Sequence, residues 1–202
     1  MSKTKIAVLV SGGGTNLQAL IDAQNSGIIT DGEIVLVISN KDGAYALTRA
    51  ENARIETATV LKKELGSQEA FEEKIMALLA EKDIEVIVLA GFMSILSEKF
   101  TSAYPKRIIN VHPALIPSFC GKGFYGLHVH EAALEYGVKV TGATVHFVNE
   151  IPDGGEIIAQ KAVEILDGDT PEVLQKRVME QAEWIILPEA VQKVSKFYRN
   201  IK

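Results

Sequence analysis

Three polar residues in the second half of the chain have the types to stabilise an oxygen that becomes negative in a reaction: Asn110, His112 and Asp153. Asn110-Val111-His112-Pro113 closes a short apolar run that begins at Ile108 and reads as a strand. Residues two apart on a strand point to the same side, so the amide and the imidazole face one pocket. Side by side, both can donate hydrogen bonds to an oxygen that becomes negative during reaction. Pro113 restricts the residue before it to extended backbone, which helps to hold His112. Asp153-Gly154-Gly155 lies in turn material further on. A carboxylate there that reached His112 would raise the imidazole's pKa and fix its orientation. Each residue also has a plainer reading: a strand-end histidine with a satisfied hydrogen bond, a turn-forming asparagine, an Asp-Gly hairpin turn. Pattern alone leaves His112 open, counts against a turn at Asn110 because Val111 rather than Gly or Pro follows it, and favours the turn at Asp153 unless its carboxylate reaches His112.

A second constellation sits at the other end of the chain. Ser11-Gly12-Gly13-Gly14-Thr15-Asn16 follows an apolar run and opens a helical period. A helix N-terminus beyond a strand's carboxyl end offers free N–H groups and a positive dipole end, and glycines let backbone approach a phosphate. The alternative is a tight turn that binds nothing, but three consecutive glycines exceed what a turn needs. The loop lacks the Gly-Lys-Ser/Thr of a triphosphate loop and the GxGxxG spacing of a dinucleotide loop; a nucleotide monophosphate suits it. Residues 121–126 do match GxGxxG, yet they follow irregular chain rather than a strand, and are read as a mobile, ligand-facing loop. His128 and His130 have no carboxylate or thiol cluster beside them, so no metal site is expected.

The elements that must position these residues alternate. Continuous apolar runs at Ile6–Val10, Glu33–Ser39 and Glu85–Ala90 read as strands covered on both faces. Helical spacing fills Leu17–Ala23, Ala44–Asn52 and Gln68–Glu81, the last with Ser67 as N-cap. Glu56–Val60 is a short extended piece and His130–Tyr136 is helical. Val138–Val148 and Glu156–Ile165 are β-rich neighbours joined by a turn, and Thr170-Pro171 opens a final helix that Pro188 is expected to kink or break. The fold class is therefore α/β, a single domain over 1–202 with a mostly parallel twisted sheet, helices on both faces and antiparallel strands near the C-terminal half.

Composition narrows the partners. The chain has 202 residues, 47% hydrophobic and 23% charged, which is enough for a sizeable core. Its net charge of −5, mixed along the chain without a basic stripe, argues against nucleic acid. The apolar run near the N-terminus is too short for a signal peptide or a membrane span. The single cysteine, Cys120, fits a reducing cytoplasm.

The motifs together resemble the smaller, folate-dependent phosphoribosylglycinamide formyltransferases. The resemblance is carried by SGGGTN, Ser39-Asn40, AGFM (Ala90–Met93) with Ile95-Leu96, NVHPALIP (Asn110–Pro117), GLHVH (Gly126–His130), VTGATVHFV (Val140–Val148) and DGG (Asp153–Gly155). It implies a formyltransferase fold in which the amine of glycinamide ribonucleotide attacks the formyl carbon of 10-formyltetrahydrofolate, without a metal. It assigns catalysis to Asn110, protonated His112 and Asp153. Ribonucleotide phosphate binding falls to Gly13, Gly14, Thr15 and Asn16, with Glu183 on the sugar-phosphate; Glu183 could equally be an exposed helix acid. Folate binding falls to Met93, Ser94, Ile95, Leu96, Asn110 and the apolar wall Ala143–Val145, although Ile95 and Leu96 could be plain core. The resemblance divides the chain into a nucleotide-phosphate half at about 1–100 and a folate and catalytic half at about 101–202, in a cytoplasmic monomer or homodimer. Ser94, Gln68 and Trp184 depart from the family's usual arginine, arginine and histidine; Lys122 is the candidate to replace a missing phosphate-binding cation. The main alternative is a formyltetrahydrofolate deformylase-type hydrolase, disfavoured by a chain that opens directly on its first strand.

Overall fold

The computed structural model describes residues 2–201. Seven strands form one sheet: β1 (Thr4–Val10), β2 (Gly32–Ser39), β3 (Glu56–Thr59), β4 (Val86–Leu89), β5 (Ile108–His112), β6 (Val140–Phe147) and β7 (Ile157–Glu164). Their order is β3-β2-β1-β4-β5-β6-β7, parallel from β3 to β5 and antiparallel across β5–β6 and β6–β7. The helices are α1 (Thr15–Asn25), α2 (Tyr45–Asn52), α3 (Lys62–Leu65), α4 (Gln68–Glu81), α5 (Glu98–Ala103), α6 (Leu127–Tyr136), α7 (Pro171–Val178) and α8 (Trp184–Asn200). Sequence spacing missed α3 and α5, each too short to show a helical period.

Alternation explains the continuous apolar runs. On β1, Ile6, Val8 and Val10 join one core with α1, α2 and α8, while Ala7 and Leu9 join a second core with α4 and α5. On β4, Val86 and Val88 face the first core, Ile87 and Leu89 the second. A strand with helices on both faces has no polar side. Because β2 and β4 flank β1 on opposite sides, the chain reverses direction of winding there. The carboxyl ends of β1 and β4 thus bound the crevice where open α/β sheets take ligands.

Caps set the helix starts. Ser67 Oγ accepts from Ala70 N at 3.0 Å and Thr170 Oγ from Val173 N at 3.4 Å. Pro188 does not break its helix, one of the two outcomes expected from sequence. It lies inside α8, and the irregularity sits just upstream as a π turn over Met179–Glu183. Proline lacks the N–H that a regular helix would give the residue four before it, here Trp184, the first residue after that turn.

Candidate active site

β5 delivers the first two polar residues by parity. Ile108 belongs to the second core, and Asn110 and His112 continue its row toward the carboxyl end of the strand. The neighbouring strand presents the matching row. Asn110 pairs in register with His146 and His112 with Thr144. Thr144 Oγ donates to Ala114 O at 2.7 Å and accepts from Ile116 N at 3.0 Å, which pins the turn that follows His112.

The turn between β6 and β7 brings in the carboxylate. Asp153 adopts a left-handed φ of 56°, and a Cβ on Gly155 would stand 1.7 Å from Phe147 O, so the second glycine of the turn is required by packing. Asp153 Oδ2 lies 3.5 Å from His112 Nδ1, and Oδ1 lies 3.6 Å from His146 Nε2. Asn110 Nδ2 lies 3.2 Å from His146 Nε2. The structure therefore brings Asn110, His112 and Asp153 together, and adds His146, which is 1% exposed and was not singled out from sequence. The signal for it was its place two residues from Thr144 on the strand facing Asn110.

The loop over residues 119–126 closes onto this cluster. Phe119 O lies 2.8 Å from His112 Nε2, and Gly121 N donates to Asp153 Oδ2 at 2.8 Å. Burial works to raise the Asp153 carboxyl, but contact with His146, the His112 charge and the Gly121 N–H together hold it below its ordinary value. Burial drives the His112 imidazole down, and Asp153 and the Phe119 carbonyl oppose this without reversing it. The expectation that Asp153 raises His112 is thus corrected: the carboxylate acts in that direction, and desolvation outweighs it.

The glycine-rich loop leads from β1 into α1. Gly14 is left-handed (φ 72°), and a Cβ there would meet Ala46 Cβ at 2.6 Å. Gly12 and Gly13 face open space, so packing does not require them to be glycine. No side chain caps α1, which leaves its first N–H groups for an external acceptor. Asn16 Nδ2 donates to Glu183 Oε2 at 2.7 Å. Glu183 is not an exposed helix acid: it is 6% exposed, and burial pushes its carboxyl up to about 6 against the opposing Asn16 hydrogen bond. Sequence reading missed Arg49, whose Nε donates to Gly13 O at 2.8 Å while its guanidinium lies over the Tyr45 ring. The cation at this loop is Arg49. Lys122 is exposed beside Gly121, on the Asp153 side.

Against the polar cluster lies a cleft of about 130 Å³ lined by residues that include Phe92, Ser94, Ile95, Leu96, Asn110 and His146. Gln68 Nε2 donates to Ile95 O at 3.1 Å, and Glu72 accepts from Ser97 N at 2.7 Å, which fastens the segment after β4. Two residues expected at the folate site do not line this cleft. Val145 and Ala143 are fully buried in the first core, because odd-numbered β6 residues point away from the face that carries Thr144 and His146. Met93 is exposed but outside the cleft, its N–H donating to Ser11 Oγ at 2.8 Å. Val148 and the segment 149–153 form the wall instead.

A model of the formyl transferase domain matches residues 4–191. The chain belongs to the formyl transferase family. Within it, this formyl transferase is similar to the phosphoribosylglycinamide formyltransferase of Haemophilus influenzae, with 44% identity over 91% of this chain and 84% of that protein. It is 46% identical, over 96% of its length, to the trifunctional purine biosynthetic protein adenosine-3 of Gallus gallus, of which it spans 19%. Among solved structures, glycinamide ribonucleotide transformylase 1 from Symbiobacterium toebii superposes with a TM-score of 0.90 at 39% identity, covering 96% of this chain and 89% of that one. Among the described residues, no group of three or more His, Cys, Asp or Glu could hold a metal, and no helix is long and apolar enough to cross a membrane.

Proposed function

We propose that the chain transfers the formyl group of 10-formyltetrahydrofolate to the amine of glycinamide ribonucleotide in purine biosynthesis. The observation that carries the reading is the convergence of Asn110, His112, His146 and Asp153 at one end of the sheet, where the uncapped α1 also begins. The ribonucleotide phosphate binds the N–H groups at Gly13, Gly14, Thr15 and Asn16, with Arg49 supplying positive charge and Glu183, held by Asn16, facing the sugar. The donor lies in the cleft at Ser94, Ile95 and Leu96, with its formyl carbon toward Asn110. The site thus draws on both the 1–100 and the 101–202 halves.

The neutral amine attacks the formyl carbon and forms a tetrahedral intermediate. Its oxygen becomes negative and accepts from the Asn110 amide and from a His112 N–H. In this arrangement Phe119 O occupies the partner position of His112 Nε2, where an incoming oxyanion would be received. The ionised Asp153 supports the imidazole and, through water, takes the proton that leaves the attacking nitrogen. The intermediate collapses with cleavage of the carbon–nitrogen bond to the folate, whose nitrogen takes up a proton.

The test is a formyl-transfer assay with both substrates on the parent and on His112→Ala. The parent turns over only with ribonucleotide present, and His112→Ala loses roughly 10²–10³ in rate. Formyl release from the donor at the same rate without ribonucleotide would replace this reading by hydrolysis.

A further inference from the structure

A cavity of about 580 Å³ lies between α1 and α8. That volume falls in the range of small-molecule sites. Only its Thr15 and Arg49 end belongs to the ribonucleotide site proposed above. The two helices run side by side in the same direction. Asn16 Nδ2 meets Glu183 Oε2 at 2.7 Å where both begin, and just past α1 the Thr30 N–H donates to Gln192 Oε1 at 2.9 Å. The groove between them therefore has a direction. It opens at Thr15, on the first turn of α1, and runs past Asp22, seven residues (22 − 15) further along. At about 1.5 Å of rise per residue, these two positions are roughly 10 Å apart along the helix axis.

Its two ends have opposite character. At the Thr15 end stand the uncapped N–H groups of α1 and the Arg49 guanidinium. Two carbonyls hold the guanidinium there: Nε donates to Gly13 O at 2.8 Å and Nη1 to Gln18 Oε1 at 3.0 Å. At the far end stand two carboxylates, Asp22 and Glu189. Among the described residues no ion pair engages either of them. Gln18 Nε2 donates to Asp22 Oδ1 at 2.9 Å, which orients that carboxylate and leaves Oδ2 for another donor. Between the ends the wall is apolar, built from Ala19, Ala23, Trp184, Ile185 and Pro188. Ile28 and Ile185 also line the groove while 53% and 39% exposed, apolar surface that a bound ring would cover.

The ligand that complements this groove carries an anion at one end, a flat apolar body in the middle and N–H donors at the other. We propose that the groove binds an amino-substituted purine nucleoside 5′-monophosphate. Its phosphate sits on the start of α1 and Arg49, its base lies against Trp184 and Ile185, and its amino group donates to Asp22 and Glu189. The roughly 10 Å between the ends asks for the longer, two-ring base. The inference rests on the reading of the glycine-rich loop as a phosphate site. The phosphate position is then common to this nucleotide and to glycinamide ribonucleotide, so the two exclude each other. Nucleotides of the class that purine biosynthesis makes therefore inhibit the enzyme, in competition with the ribonucleotide and not with the folate donor.

The test is calorimetric binding of three probes to the parent: adenosine 5′-monophosphate, purine riboside 5′-monophosphate, which lacks the amino group, and ribose 5-phosphate. Adenosine monophosphate binds roughly tenfold tighter than ribose 5-phosphate, the scale of one base–aromatic contact, and glycinamide ribonucleotide displaces it. The unsubstituted purine falls between the two. Trp184→Leu loses most of the advantage over ribose 5-phosphate, and Asp22→Ala/Glu189→Ala loses the advantage over the unsubstituted purine; neither variant raises the KM for the ribonucleotide. If ribose 5-phosphate binds the parent and adenosine monophosphate binds no tighter, the proposal is overturned and the phosphate loop stands, a result that does not depend on any variant folding. An advantage that survives both variants, or a nucleotide that the ribonucleotide does not displace, overturns it equally. Binding of none of the three probes removes the phosphate-loop reading as well. A parent that prefers adenosine monophosphate as stated yet transfers no formyl group refutes the activity reading alone.

Discussion

His130 makes a quantitative prediction. It lies on the inner face of α6, 1% exposed, and neither ring nitrogen has a hydrogen-bond partner. Burial, with the nearby His112 charge adding to it, pushes its pKa from 6.5 down to about 4. The folded state therefore binds the proton less readily than the unfolded state. The stability that depends on neutral His130 is complete above pH 6.5 and is lost as pH falls toward 4. A proton costs 1.36 kcal/mol per pKa unit, so the loss relative to pH 7 is about 2 kcal/mol at pH 5 and about 3 kcal/mol at pH 4. Glu183 works oppositely. Its carboxyl, raised from 4.5 to about 6, makes the folded state gain about 2 kcal/mol as pH falls through that window. The parent's own pH profile is consequently flattened, and the comparison with His130→Leu isolates the histidine. Urea unfolding of both proteins at pH 7 and pH 5 should show the parent losing about 2 kcal/mol more than the variant. Parallel losses would refute the assignment of a buried, neutral His130.

Three other predictions concern the site. Asn110→Ala and Asp153→Asn should each lower kcat by roughly 10²–10³, and the double variant by less than the product, because the groups act on one intermediate; steady-state kinetics check this. Arg49→Ala should raise the KM for glycinamide ribonucleotide several-fold with kcat little changed, whereas Lys122→Ala should leave that KM where it is. Glu183→Gln should raise unfolding free energy at pH 7 by about 2 kcal/mol, since it removes a buried acid that must ionise there, while raising the KM for the ribonucleotide; a variant no more stable than the parent would contradict the burial.

The sheet was legible because its strands are covered on both faces, which leaves runs such as Ile6–Val10 with no polar residue. The β5 pair Asn110 and His112 was legible because strand parity is local. What was illegible needed register. His146 joins the cluster only because β6 pairs antiparallel with β5 at Asn110, and Val145 drops out because it is one residue away on the opposite face. Arg49 reaches the glycine-rich loop from a helix that sequence alone does not place beside it. Pro188 does not break its helix; the irregularity lies upstream in Met179–Glu183, the turn that also carries the buried Glu183.

Burial and pairing compete on the same ring in this site. His112 faces a carbonyl oxygen at Nε2 and a carboxylate at Nδ1. Both neighbours accept, and a neutral imidazole has only one N–H to give. Either neutral tautomer therefore turns a lone pair toward an acceptor, and only the imidazolium satisfies both. Desolvation nevertheless pulls the pKa down, so the charged form is favoured by contacts and opposed by burial. Such a group is poised: one further negative charge at hydrogen-bond distance shifts the balance toward protonation. The oxyanion of a tetrahedral intermediate is that charge, and it forms during the reaction rather than before it. The imidazole then stabilises the intermediate more than the bound substrate, which is the condition for accelerating a chemical step.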